Sequence, residues 1–514
     1  MRTKKIARNS LAEIIPYFII GAIGFVKVRV LISCLGNTVN GYYEFINQII
    51  SYLFLVEAGF NSAVVYKLYK PFAEEDKEHI KQIFNGSRTI FRRIGAIIAA
   101  LIFAASIVLL VIFHFSPNYV EPQYQLVVLA TFLTISCSYL IAYFGKTTSY
   151  CSIFCADQRK WVYSLTMNIV KICCDLLIIA VIVIFKNLYA LAIVILVVKV
   201  MEEIIVRTIG RKQYPWLTKT KKVDTSAASM TKDLIWHQLG FVAANNIDSI
   251  IIMSFMGPVM VSIYATYNYI FRFLTEMSSK ANAAFIHSFG NVFAKHEEEK
   301  SYRMFGEYFV LYTLLAFAIG LTFHLGIRSF IQVWIGQDKY LLSYIVVAFF
   351  SLSLFLNIIY YPLTSMISAN GLYHESRSYV MASAVINLIL SIILVQFMGL
   401  VGVLLATCIA FTITIYLRSN LINKKVFIKW KQHHIFKRFL FAILIFIILL
   451  VVTYPLEKIF LDMHLSFIPC VIALGVIFLI VTLVVLGILY IVNPNTKALL
   501  HRLTYFKRGK KTVE

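Results

Sequence analysis

The chain has 514 residues, of which 60% are hydrophobic, 15% aromatic and only 14% charged, with a mean hydropathy of +0.79. Soluble domains run nearer about 45–50% apolar and about 25% charged, and the excess here lies in long runs, such as 439–453 and 468–492, on the scale of the roughly 20 residues that cross a bilayer. A soluble enzyme is excluded. The net charge of +23 would suit nucleic acid, but in a membrane protein the informative question is on which side the positive residues lie.

Apolar segments predict fourteen helices, near 11–33, 41–66, 94–113, 123–145, 161–185, 188–206, 234–256, 262–287, 304–325, 341–361, 379–396, 400–417, 439–454 and 468–492. The first is longer than a signal-peptide core and has no small-residue cleavage pattern after it, so it is expected to be a span and not a leader. With the N-terminus placed in the cytoplasm, 38 of the 48 Lys and Arg fall on the cytoplasmic side. The outer connections hold only Lys186, Arg328, Lys339 and Lys458, and six more lie within spans. That asymmetry predicts both termini inside, and it accounts for the basic charge beside an anionic leaflet without nucleic acid as a partner. The stretch 67–93 alternates charge with Phe72, Ile80, Ile83, Phe84 and Phe91 and reads as an amphipathic surface helix or a solvated connector. Cys34, Cys137, Cys151, Cys155, Cys173, Cys174, Cys408 and Cys470 fall in or beside apolar runs without metal-ligand spacing, so neither a disulfide nor a metal site is expected.

An internal repeat organises the spans. A shift of 221 residues lays Ser33–Phe84 over Ser254–Phe305 without a gap, with 11 identical pairs in 52. They include Gly36/Gly257, Tyr43/Tyr264, Asn61/Asn282 and Phe84/Phe305. The shift carries helix 1 onto helix 7 and helix 2 onto helix 8. Six spans separate the copies, so both halves enter the membrane in one direction, the parallel-repeat plan of transporters. The expected organisation is an all-α polytopic membrane protein of about 14 transmembrane helices. Residues 1–210 form an N-terminal six-helix lobe, 211–233 a cytoplasmic linker, 234–420 a C-terminal six-helix lobe, and 421–514 two extra helices with a basic tail.

The stretch RVLISCLGNTVNGYYEFINQIISYLFLVEAGFNSAVVYKL (Arg29–Leu68) resembles the helix 1–2 signature of polysaccharide flippases, a family of the multidrug/oligosaccharidyl-lipid/polysaccharide exporter superfamily. The features are a cationic end to helix 1, the Leu35-Gly36 turn, the Gly41-Tyr42 opening of helix 2, and Glu57-x-Gly59 toward its far end. In the second half, Pro362, Asn387 and Gly399-x-x-Gly402 are similar to the pattern of helices 10–12 in that family. The resemblance implies two six-helix lobes around a central cavity, alternating access, and an undecaprenyl-pyrophosphate-linked glycan as cargo in a bacterial cytoplasmic membrane. It implies no bond-making and no cofactor.

The informative residues in such a protein are ionisable groups at bilayer depth, each costing about 2.5–3.5 kcal/mol on insertion scales. Helix 1 carries Lys27 and Arg29, which point roughly 200° apart on a helix, so one of them is expected to bind an anionic group while the other snorkels. Helix 8 carries Arg272 and Glu276 on one face; guanidinium suits phosphate because its fork gives two parallel hydrogen bonds. Lys27, Arg29 and Arg272 are thus the expected substrate-binding residues. Helix 7 offers Asn245 and Asp248. Asp248 aligns with Lys27 under the repeat shift, and a Lys27–Asp248 contact would make a gate. Glu57, Asp248, Glu276 and Asn245 are the gating or ion-coupling candidates, with Na+ or H+ as the coupling cation. Lys171/Asp175 and Lys199/Glu202/Glu203 read as structural ion pairs within helices 5 and 6.

No Walker loop, HExxH or Ser/His/Asp order appears, so no catalytic residue is expected. The rival readings are a lipid II flippase, a cation-coupled drug or metabolite exporter, and, from another class, a polysaccharide polymerase, which would be expected to carry a large outer loop. Membrane lipids and polysaccharide polymerase machinery are the expected neighbours. In a cysteine-free background, a cysteine placed at Lys186 should react with an impermeant maleimide in intact cells, and one placed at Lys222 only after lysis. The opposite labelling pattern would invert the topology.

Overall fold

The computed structural model describes residues 2–54, 60–116, 119–220, 222–227, 248–293, 298–427, 434–493 and 495–500. They form eighteen helices: α1 Arg2–Leu35, α2 Asn37–Leu53, α3 Phe60–Ala73, α4 Lys77–Phe115, α5 Pro122–Phe144, α6 Thr147–Ala156, α7 Lys160–Phe185, α8 Leu188–Gln213, α9 Asp248–Met256, α10 Pro258–Phe293, α11 Glu298–Ile335, α12 Tyr344–Ile359, α13 Tyr361–Ala369, α14 Tyr373–Met398, α15 Leu400–Lys425, α16 His434–Val452, α17 Tyr454–Asp462 and α18 Phe467–Val492. Helices lie at the fourteen predicted positions as far as these are described; of the seventh, only 248–256 is. Ten of the described helical segments are long and apolar enough to cross a bilayer. The chain is a multi-span membrane protein. It divides into two units, 1–265 and 266–514; the start of the second repeat, α9 and the first turns of α10, therefore belongs to the first unit.

Helix limits follow from local chemistry. Asp76 caps α4 by accepting from the His79 N–H at 3.0 Å, Asn187 caps α8 by accepting from Tyr189, and Pro122 and Pro362 open α5 and α13, where a missing N–H costs nothing. The main departures from expectation are at helix ends. α4 has 39 residues, about 58 Å at 1.5 Å per residue, far beyond a hydrocarbon core of about 30 Å. Its first turns are the stretch read as a surface segment. Ile80, Ile83, Phe84 and Phe91 are all buried there, so the alternating pattern reflects packing against protein. A short helix, α6, replaces what read as a plain connection, and Tyr360 separates α12 from α13 within the predicted tenth span.

The repeat is visible in local geometry. Gly36 and Gly257 both adopt left-handed φ, +79° and +81°, at equivalent turns before α2 and α10. Asn61 accepts from Ser152 of α6 at 2.6 Å, and its counterpart Asn282 accepts from Ser365 of α13 at 2.5 Å. The second-half glycine pattern also has a cause. Gly399 turns the chain between α14 and α15 with φ +56°, and a Cβ on Gly402 would lie 2.3 Å from the Leu394 carbonyl oxygen. Asn387 ties the same two helices by donating to Thr407 at 3.0 Å.

Within the second unit the C-terminal helices dock on α11. Arg328, assigned by hydropathy to an outer loop, lies inside α11 and donates to the buried Glu457 of α17 at 3.1 Å. Phe446 of α16 stacks on Phe355 with ring centroids 4.1 Å apart, and Gly326 leaves the space that Leu474 of α18 fills. The opposite face of α18, with Ile468, Leu479, Leu483 and Ile491 exposed, is a lipid-facing surface.

Gly41 sits where α2 crosses the start of α10: an added Cβ would meet the Pro258 carbonyl oxygen at 1.9 Å. Gly41→Ala should destabilise the protein by about 1–3 kcal/mol, read as a lower melting temperature in detergent. Gly475→Ala, where nothing stands within 4 Å of the added Cβ, should raise it slightly or leave it unchanged.

Candidate functional site

The first unit holds a partly open cavity of about 270 Å³ with charged residues in its walls, formed by α1, α2, α5, α7 and α8. Lys27 enters from α1, and its ammonium lies 2.5 Å from Asp175 Oδ1 of α7, with side-chain exposures of 19% and 5%. Lys171, one turn before Asp175, stands 3.8 Å from the other carboxylate oxygen. Across the cavity, Lys199 of α8 donates to Glu202 at 2.8 Å and lies 4.9 Å from the centroid of the Tyr139 ring. Tyr43, Asn168 and Cys174 complete the polar lining.

Three ammonium groups and two carboxylates therefore share one pocket. Each side chain reaches it because the helix faces are set by spacing. Lys171 and Asp175 are one turn apart on α7, as are Lys199 and Glu202 on α8. Neither pair alone would announce a partner in α1. Desolvating an ion costs several kcal/mol, and a partner at hydrogen-bond distance offsets much of it. At about 30 Å³ per water, the cavity holds roughly nine waters. It has room for water, a small ion or a proton path.

The other expected residues fall as follows. Arg29 is exposed on another face of α1, as the roughly 200° separation requires. Arg272 and Glu276 are both exposed on α10 in the second unit. Asp248 is buried at the start of α9 and accepts a hydrogen bond from the Tyr264 hydroxyl at 2.7 Å. Lys27 thus pairs with Asp175, and Asp248 with the Tyr264 hydroxyl. Glu57 and Asn245 lie outside the described residues. Glu203, grouped by sequence with Lys199, instead faces α6: it accepts from the N–H groups of Lys146 and Thr147 at 2.9 and 3.0 Å and from the Thr147 hydroxyl at 2.7 Å.

The sequence matches no protein-family model and no curated protein. Solved structures do match. A structure titled lipid II flippase MurJ, inward closed conformation, aligns with a TM-score of 0.68 at 16% identity, covering 93% of this chain and 98% of that one. An inward-facing multidrug resistance MATE family transporter of the MOP superfamily aligns at 0.59 and 14% identity, covering 82% and 98%. A MOP superfamily transporter from Pyrococcus furiosus aligns at 0.58 and 12% identity, covering 83% and 97%. The chain has the MATE/MurJ fold. That fold is a two-lobed polytopic transporter architecture, and at these identities it is the fold alone that is shared.

Because Asp175 is nearly sealed, Lys27→Ala should leave its carboxylate with only the more distant Lys171 and cost up to about 3–5 kcal/mol. The double variant Lys27→Ala/Asp175→Ala should recover part of that loss, a coupling read by thermal unfolding in detergent. Equal melting temperatures for wild type and Lys27→Ala would show that the pair carries no stability.

Proposed function

We propose that this protein is a flippase of a bacterial cytoplasmic membrane, moving undecaprenyl-pyrophosphate-linked oligosaccharide repeat units by alternating access for surface polysaccharide export. What supports the lipid-linked cargo is the breadth of the match to the lipid II flippase, 93% of this chain against 82% for the MATE transporter. The difference is about the size of the α16–α18 segment. The flippase signature of helices 1–2 points the same way, and it narrows the cargo to polysaccharide precursors.

In this reading each repeat contributes one exposed guanidinium, Arg29 and Arg272, to the pyrophosphate, where two parallel hydrogen bonds replace water. Lys27 reaches phosphate only by leaving Asp175, so the exchange of that ammonium between carboxylate and substrate is the step that senses loading. Glu57, Asp248, Glu276 and Asn245 remain the candidates for gating or for coupling to Na+ or H+. The polyprenyl tail stays in lipid beside the apolar face of α18, and no bond is made or broken. Released repeat units pass to polysaccharide polymerase machinery on the outer face.

The same match favours a second reading, in which the cargo is lipid II itself. Proteoliposomes loaded with fluorescent undecaprenyl-pyrophosphate oligosaccharide, or with lipid II, separate the two by outer-leaflet accessibility. Wild type should move the oligosaccharide carrier in preference. Arg29→Ala and Arg272→Ala should each slow it at least about tenfold, the equivalent of one charge-assisted hydrogen bond. Preference for lipid II selects the second reading. Movement of neither, with or without an ion gradient, rejects both and leaves the exporter reading, to be tested with cationic drugs and Asp248→Asn.

A further inference from the structure

Three elements of the first unit bring five cations together beside the start of α6. Arg88 and Arg92 stand one turn apart on α4, Arg207 and Arg211 one turn apart on α8, and Lys146 lies in the junction between α5 and α6. Their proximity is held by packing. A Cβ on Gly210 of α8 would lie 2.5 Å from the ring of Tyr150 of α6, and Ser87 of α4 bonds Ser149 of α6 at 3.0 Å. The nearby carboxylate, Glu203, is taken up by the first N–H groups and hydroxyl of α6. Among the described residues, none of the five cations has a carboxylate within 4 Å. Arg88 Nε is sealed from solvent without a hydrogen-bond partner. Burial, and then repulsion from Arg88, Arg211 and Arg207, pushes Lys146 down to about 8. Against these cations stands one nearby carboxylate, Glu203, already committed to the start of α6.

We infer that this rim is a phosphate-binding site, in which Arg88, Lys146, Arg207 and Arg211 clasp the phosphate of an anionic phospholipid. Guanidinium forks fit phosphate oxygens in pairs, and Lys146 adds a point charge. The lipid source is favoured by what lies deeper on the same helices. Phe144 of α5 and Met201 and Ile204 of α8 are exposed apolar side chains beside the charged rim, a surface for acyl chains. Charge count places the rim on the cytoplasmic side, where anionic lipids add about fivefold in affinity for each basic residue near the surface. The site uses none of the residues assigned to the cargo and stands apart from the transport reading.

Native mass spectrometry of the protein released from micelles containing phosphatidylglycerol or phosphatidylcholine tests the inference, with inorganic pyrophosphate as a soluble probe followed by thermal shift. Wild type should retain phosphatidylglycerol over phosphatidylcholine. Arg88→Gln/Arg211→Gln should weaken that retention about tenfold or more, Arg88→Lys/Arg211→Lys should keep most of it, and Lys70→Gln/Arg303→Gln, at exposed pairs elsewhere, should leave it unchanged. Loss confined to the pyrophosphate arm upholds the phosphate site with a soluble ligand. Equal behaviour of wild type and Arg88→Gln/Arg211→Gln in both arms, with the Arg88→Lys/Arg211→Lys protein folded, overturns it.

Discussion

The cost of holding charge inside a bilayer governs this molecule. Lys27 could not stand in α1 as an isolated ammonium, and the structure answers with Asp175 at 2.5 Å and a cavity with room for several waters around both. The same rule sets Arg328 against Glu457 in the second unit and Glu203 against the N-terminus of α6. Each of these contacts joins helices that hydropathy alone leaves independent. Since lipid tails are as apolar as leucine, close backbone approach and polar contact hold helices together more than water exclusion does. The glycines at crossings, Gly41 against Pro258 and Gly326 against Leu474, supply the close approach.

Much of the fold was legible in the sequence, because hydropathy and charge asymmetry report membrane crossing directly. α5, α7, α14 and α18 lie within a few residues of their predicted limits except for the first turns of α14. The misreadings share a cause. Hydropathy sees the hydrocarbon layer and stops at its edge, so the extension of α4 back to Lys77 was read as a surface helix or connector, and the continuation of α11 to Ile335 and the short helices α6 and α17 as loops. Arg328 fell to an outer connection for the same reason.

The candidate site was legible only in part. The charged residues of α1, α7 and α8 stood out at once, and so did the helical spacing within Lys171/Asp175 and Lys199/Glu202. Their assembly into one cavity did not, because Lys27 and Asp175 are 148 residues apart and the repeat pointed to Asp248 instead. A pairing across that distance leaves no periodic trace in one sequence. The roughly 200° between Lys27 and Arg29, by contrast, was readable, and the structure puts the two side chains in different surroundings: one in the cavity, one exposed.

In the proposed flippase, Lys27 acts through Asp175. The most direct measurement is outer-leaflet delivery of the fluorescent oligosaccharide carrier by the charge-swapped protein Lys27→Asp/Asp175→Lys beside each single variant. The account predicts that both singles lose most transport and that the swap restores a substantial fraction, since the pair is remade with its ends exchanged. A folded swap as inactive as Lys27→Ala would contradict it.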